Sequence, residues 1–131
     1  MASFKLPYYK EHLTLEIPDE RLAGVLVSRS EDFKPEKSQT ELVRAALAAP
    51  ISSLPLSALA AGKKHVVIIS SDHTRPVPSR VTMPVLLEEI RRDNKECRVT
   101  ILIATGMHRP TTRDELVDRY GSDIVASERI V

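Results

Sequence analysis

Two short stretches gather most of the side chains in this sequence that can do chemistry. The first runs Ser70-Ser71-Asp72-His73-Thr74-Arg75-Pro76-Val77-Pro78-Ser79 and places a carboxylate, an imidazole, hydroxyls and a guanidinium in one turn of chain. The second, Thr105-Gly106-Met107-His108-Arg109-Pro110-Thr111-Thr112, adds a glycine, another imidazole and another guanidinium. Arg75 offers a planar fork that matches a carboxylate bidentately, and Asp72 can accept from sugar hydroxyls or hold Arg75 in place. Side-chain oxygens, loop amides and a helix start converging there also suit a phosphate. In the second stretch Gly106 allows close backbone approach, and His108 is the only group that titrates near neutrality. A histidine within reach of an arginine-bound carboxylate has the layout for general acid/base work at the adjacent carbon. The plainer alternatives are that Asp72 and Thr74 cap the next helix with Arg75 in solvent, and that His108 is a surface residue.

The surrounding pattern says where these stretches sit. His65 to Ile69 is a continuous β-branched run, the pattern of a parallel strand covered on both faces. A helix is expected over 79–93, a second buried strand over 97–104, and a helix capped by Thr111 or Thr112 that stops at Gly121. This β-α-β-α order requires parallel strands and a right-handed crossover. Ligands of open parallel sheets bind beyond the carboxyl ends of the strands, and both stretches fall there.

Upstream, His12 to Ile17 alternates polar and apolar as a half-buried strand does. Pro18 and Asp19 then suggest a turn from which Leu22 to Val27, with Gly24 as a bulge or close approach, pairs back as a hairpin. Residues 28–37 are polar and read as an exposed loop. Ser38 and Glu41 form a capping box for a helix that ends at Pro50, and a short Leu/Ala segment ends at Gly62. Arg91, Arg92 and Lys95 read as a solvated helix end. Ile124 to Val131 opens a further strand with nothing to close it, so residues 1–131 read as a truncated chain. The expected fold is α/β: a Rossmann-like, open, mainly parallel sheet with flanking helices and an N-terminal β-hairpin.

Composition narrows the function classes. With 131 residues the chain fits one domain, and its 42% hydrophobic content supports a core. A net charge of +1 gives no basic field for nucleic acid or an anionic membrane. Three Tyr, two Phe and no Trp leave few platforms for stacking bases. The one cysteine, Cys97, excludes an intramolecular disulfide, reads as an inert apolar filler and fits a reducing cytoplasm. No stretch approaches the roughly 18 apolar residues of a membrane span. His12 and His65 lie on or beside strands and carry no assigned role.

Asp72-His73-Thr74-Arg75-Pro76 after one apolar strand, followed by Gly106-Met107-His108-Arg109-Pro110 after the next, resembles the amino-terminal domain of the nickel-pincer-nucleotide lactate racemases and related 2-hydroxyacid racemases and epimerases. The resemblance implies that Asp72, His73, Thr74 and Arg75 contact the cofactor, a Ni(II)-pyridinium-3,5-bisthiocarboxylate mononucleotide. It further implies that Arg75 binds the carboxylate of a 2-hydroxy acid and that His108 is one of two histidines exchanging the hydroxyl proton. His108 thereby moves from the C2 proton, where the residues alone put it, to the hydroxyl. In that family hydride passes from C2 to the pyridinium ring and returns on either face. The cofactor-anchoring lysine, the nickel-ligating histidine and the second catalytic histidine are implied to lie beyond residue 131, in a C-terminal domain of the same protein, so no residue here is expected to bind metal. The competing reading is a standalone Rossmann-like module that holds a phosphorylated or carboxylated small molecule without catalysis.

Overall fold

A computed structural model describes the backbone of residues 1–131 and every side chain except that of Glu31. The chain divides into two compact units, Met1–Pro35 and Glu36–Val131.

In the first unit β1 (Ala2–Tyr8) pairs antiparallel with β2 (Glu11–Ile17). The expected hairpin therefore forms with the preceding segment instead of with Leu22 to Val27. The register sets Phe4 opposite Leu15 and Leu6 opposite Leu13, and such apolar cross-strand pairs are the unit of sheet stabilisation. Tyr9 and Lys10 make the loop, with Tyr9 at φ 54°, the left-handed conformation that both favoured two-residue hairpin turns require at this position. Seven paired positions closed by so short a loop leave residues 22–27 unpaired and without strand structure, and Leu26 is fully exposed.

The second unit begins with α1 (Gln39–Ala48), whose capping box of Ser38 and Glu41 is formed as the sequence indicates. There follow α2 (Leu56–Ala60), β3 (His65–Ser71), α3 (Ser79–Arg91), β4 (Arg98–Ala104), α4 (Arg113–Tyr120), α5 (Ser122–Ser127) and β5 (Arg129–Ile130). The sheet order is β3-β4-β5, with both pairings parallel. The last stretch thus differs from expectation. It folds first as a helix, and only its final residues pair, Arg129 with Thr100 and Ile130 with Ile101.

One face of the sheet carries the core. Val66 and Ile68 of β3 lie in register with Val99 and Ile101 of β4, and strand alternation sends all four to the same side. There they join Ala60 of α2, Met83, Leu87 and Ile90 of α3, Tyr120 of α4 and Ile124 of α5. The other face stays open within this unit: Val67 is 51% exposed, Ile69 72% and Leu102 40%. The β-branched run therefore describes a strand with two apolar faces, and α2 to α5 all pack on one of them, so within this unit only one face is covered. Arg91 also departs from its reading as a solvated end, since it donates to both oxygens of Glu128 at 2.6 and 2.9 Å and ties α3 to the chain entering β5. No helix among the described residues is long and apolar enough to cross a membrane.

Candidate functional site

Parallel register brings the two chemically rich stretches together. Ser71 at the end of β3 lies opposite Ala104 at the end of β4, so the loops that follow leave the sheet side by side. The β4 loop turns back at once: the His108 amide donates to the Thr105 carbonyl at 3.0 Å, and Gly106 stands at φ 58° inside that turn. Gly106 takes the left-handed backbone that the turn requires, and a Cβ there would meet no protein atom within 4 Å.

That turn delivers His108 to Asp72. Its Nδ1 lies 2.5 Å from Asp72 Oδ2, while Asp72 Oδ1 accepts from the Thr74 amide at 3.1 Å and the Thr74 hydroxyl at 2.7 Å. The Asp72 side chain is 2% exposed and that of His108 is 48% exposed. The Thr74 hydroxyl is the main influence that holds the Asp72 carboxyl down at about 2, with His108 adding to it and burial opposing. Asp72 thus neither holds Arg75 nor caps α3, whose N-cap is Pro78 and has no side-chain cap. Arg75 is exposed, and its guanidinium has no partner among the described residues.

The opposite flank of the same loops is tied together by its own side chains. Glu115 on α4 accepts from both terminal nitrogens of Arg109, at 2.6 and 2.9 Å, and from the Thr112 amide at 2.8 Å as half of a capping box. Arg109, and after it the Thr112 amide, hold the Glu115 carboxyl far below the ordinary range. His73 turns to this flank, with Nδ1 at 3.3 Å from the Thr111 hydroxyl and 3.8 Å from Glu115. An open cleft of about 330 Å³ lies here between the start of α3 and α4, lined by His73, Ser79, Glu115 and Arg119 among others. His108 and Arg75 lie outside it.

Sequence reasoning missed two supports. Arg119 donates to the Arg75 carbonyl at 2.9 Å and to the Ser71 hydroxyl at 2.6 Å, and the Tyr120 hydroxyl donates to Ser70 at 2.7 Å. Both come from the end of α4, where the only sequence signal is a polar tip on an otherwise apolar helix face. Among the described residues no group of three His, Cys, Asp or Glu is arranged to hold a metal ion. On the Asp72 flank Arg75 and Thr74 are exposed and His108 half-exposed; the Thr74 hydroxyl donates to Asp72, and the Arg75 guanidinium has no partner among the described residues.

Comparison with known proteins matches nearly the whole chain to one family. A family model described as the lactate racemase N-terminal domain matches residues 8–131. A lactate racemase of Thermoanaerobacterium thermosaccharolyticum is 50% identical over the whole chain, and one of Lactiplantibacillus plantarum is 49% identical. The chain spans 31% of the length of each. The solved structure of the T. thermosaccharolyticum lactate racemase apoprotein superposes with a TM-score of 0.81 at 48% identity, covering 99% of this chain and 30% of the other.

Proposed function

The chain belongs to the lactate racemase N-terminal domain family, and from that premise we propose that it forms the amino-terminal half-site of an isomerase that interconverts the enantiomers of a 2-hydroxy acid such as lactate. The observation that carries the reading is His108, held by a buried carboxylate and half open to solvent, on the loop beside the one that presents an unpaired Arg75.

Each group has a distinct task. Arg75 grips the substrate carboxylate through its fork of donors, which places the adjacent C2 hydroxyl toward the neighbouring loop. His108 takes the hydroxyl proton as the carbon is oxidised and returns it when the carbon is reduced, work suited to imidazole near neutral pH. A nickel pincer nucleotide, when bound, supplies the hydride acceptor and donor for C2. Of the first loop, Arg75 would meet it with a guanidinium that has no partner among the described residues, whereas Asp72, Thr74 and His73 would meet it while bonded to His108, Asp72 and Thr111. Nickel ligation and a second acid/base group then fall to the rest of the polypeptide, the C-terminal domain of the same protein. A buried lone thiol, Cys97, fits a cytoplasmic setting.

The test is racemisation by the full-length protein carrying His108→Asn. Turnover is expected to fall at least about 1,000-fold with cofactor loading within about twofold of the parent, since asparagine keeps some hydrogen bonding but cannot shuttle a proton. Parental turnover with normal loading would show that His108 exchanges no proton.

A further inference from the structure

The proposed proton exchange requires one nitrogen of His108 to be an acceptor facing the substrate, and the fold contains a device that can decide which one. We infer that Asp72 is a positioning residue that fixes His108 as the Nδ1–H tautomer and leaves Nε2 as the acceptor toward the substrate hydroxyl. This deepens the functional reading above and rests on it for its catalytic consequence, though not for its geometry.

Three observations carry the inference. First, an ionised carboxylate only accepts hydrogen bonds, so the bond between Asp72 Oδ2 and His108 Nδ1 must be donated by the ring. In the neutral imidazole the other nitrogen, Nε2, is then the acceptor. Asp72 remains ionised through the neutral range because the Thr74 hydroxyl, joined by His108, stabilises its charge.

Second, the carboxylate is itself held. Thr74 gives both its amide and its hydroxyl to Oδ1, so Asp72 can neither rotate nor offer that oxygen elsewhere without breaking two bonds. The Thr74 hydroxyl also lies 3.4 Å from His108 Nδ1. Its proton is already directed to Asp72, so it does not compete as a donor to the ring.

Third, burial separates the partners. With Asp72 2% exposed and His108 48% exposed, the carboxylate is buried while the ring keeps open surface, and the ring's hydrogen bonds among the described residues are made at Nδ1 and not at Nε2. Arg109, whose own charge Asp72 helps to stabilise, is committed to Glu115, and no lysine or arginine pairs with Asp72 among the described residues. His108 is thus its one charge-capable hydrogen-bonding partner.

The experiment uses full-length protein with ¹⁵N-labelled histidine, with the His108 ring resonances identified by their loss in His108→Asn. At a pH where the ring is neutral, the shifts of the parent are expected to show protonated Nδ1 and pyridine-type Nε2. In Asp72→Asn the ring is expected to shift toward the Nε2–H form or a mixture. Racemisation kcat is expected to drop about 100- to 10,000-fold, as when a histidine base loses its orienting carboxylate, with substrate KM and cofactor loading within about threefold. Thr74→Val, which keeps the Asp72–His108 bond and removes one support of Oδ1, is expected to lose about three- to tenfold in kcat.

A parent ring protonated on Nε2 would overturn the proposal without recourse to any variant. An Asp72→Asn protein with unchanged ring shifts would overturn it as well. Loss of cofactor loading with kcat preserved per loaded enzyme would instead make Asp72 a cofactor contact. If His108→Asn racemises at the parental rate while Asp72→Asn still changes the tautomer, the functional reading fails and the positioning of the ring by Asp72 stands.

Discussion

His73 is 18% exposed and meets a hydroxyl at 3.3 Å and a carboxylate at 3.8 Å, whereas His108 is 48% exposed and meets a buried carboxylate at 2.5 Å. The arginines of the same two loops divide in the same way. Arg109 is forked onto Glu115, while Arg75 has a bonded carbonyl but a free guanidinium. One flank of the paired loops is therefore saturated from within and fixes the loops to α4. The other holds its donors and acceptors in place from behind and leaves their working ends open. Residue type does not separate the flanks, since each contains His, Arg, Thr and a carboxylate. What separates them is whether the hydrogen-bonding capacity is consumed by the protein itself.

Swapping the two guanidiniums tests this division most severely. Arg75→Lys in the full-length protein is expected to lower kcat/KM by about 30- to 1,000-fold, equivalent to about 2 to 4 kcal/mol, because an ammonium cannot reproduce the fork. Arg109→Lys is expected to change kcat/KM by less than about threefold, since its partner is Glu115 and not the substrate. Steady-state kinetics of the pair decide the matter, and equal losses would abolish the distinction between the flanks.

A smaller effect is expected from the internally bonded flank. Thr112→Ala removes the side-chain half of the α4 capping box and should destabilise the chain by about 1 kcal/mol, read as a lower thermal midpoint, with little change in rate in the full-length protein. Tyr120→Phe removes the buried hydroxyl that reaches Ser70 and should cost about 0.5 to 1.5 kcal/mol in the same assay. An unchanged midpoint in both variants would mean that α4 does not anchor the loops.

Acid distinguishes the flanks least, because each contains a depressed carboxyl. Asp72 falls from 3.8 to about 2 on folding, and Glu115 is also lowered. Between those limits the unfolded chain binds more protons than the folded one, so stability rises with pH in that window. The urea midpoint of the 131-residue chain is expected to stay level above about pH 5 and to decline as the pH falls toward 2. Asp72→Asn and Glu115→Gln should each make the decline shallower, and a midpoint independent of pH down to about 2 would contradict both assignments.

Much of this arrangement was legible because its signals are local. The capping pair Ser38–Glu41, a cap at Thr111 or Thr112, the β-branched runs of β3 and β4 and the β-α-β-α order are written within a few residues each, and together they place both loops at one sheet edge. What escaped depends on pairing across distance. The β1 partner of β2 competes with a more continuously apolar segment, Leu22 to Val27, and a two-residue loop decides between them. The bonds from Arg119 and Tyr120 to the β3 loop bridge long sequence separations and have no periodic signature. The partner of Asp72 was open for the same reason: the sequence offers Arg75 three residues away, but the turn at Gly106 brings His108 instead.

The central claim is that the two histidines, on neighbouring loops, have unlike tasks. It is tested most directly by measuring racemisation turnover and cofactor loading side by side for His73→Asn and His108→Asn in the full-length protein. With loading matched, turnover is expected within about tenfold of the parent for His73→Asn and at least about 1,000-fold below it for His108→Asn. Equal losses in the two variants, or a greater loss at His73, would contradict the account.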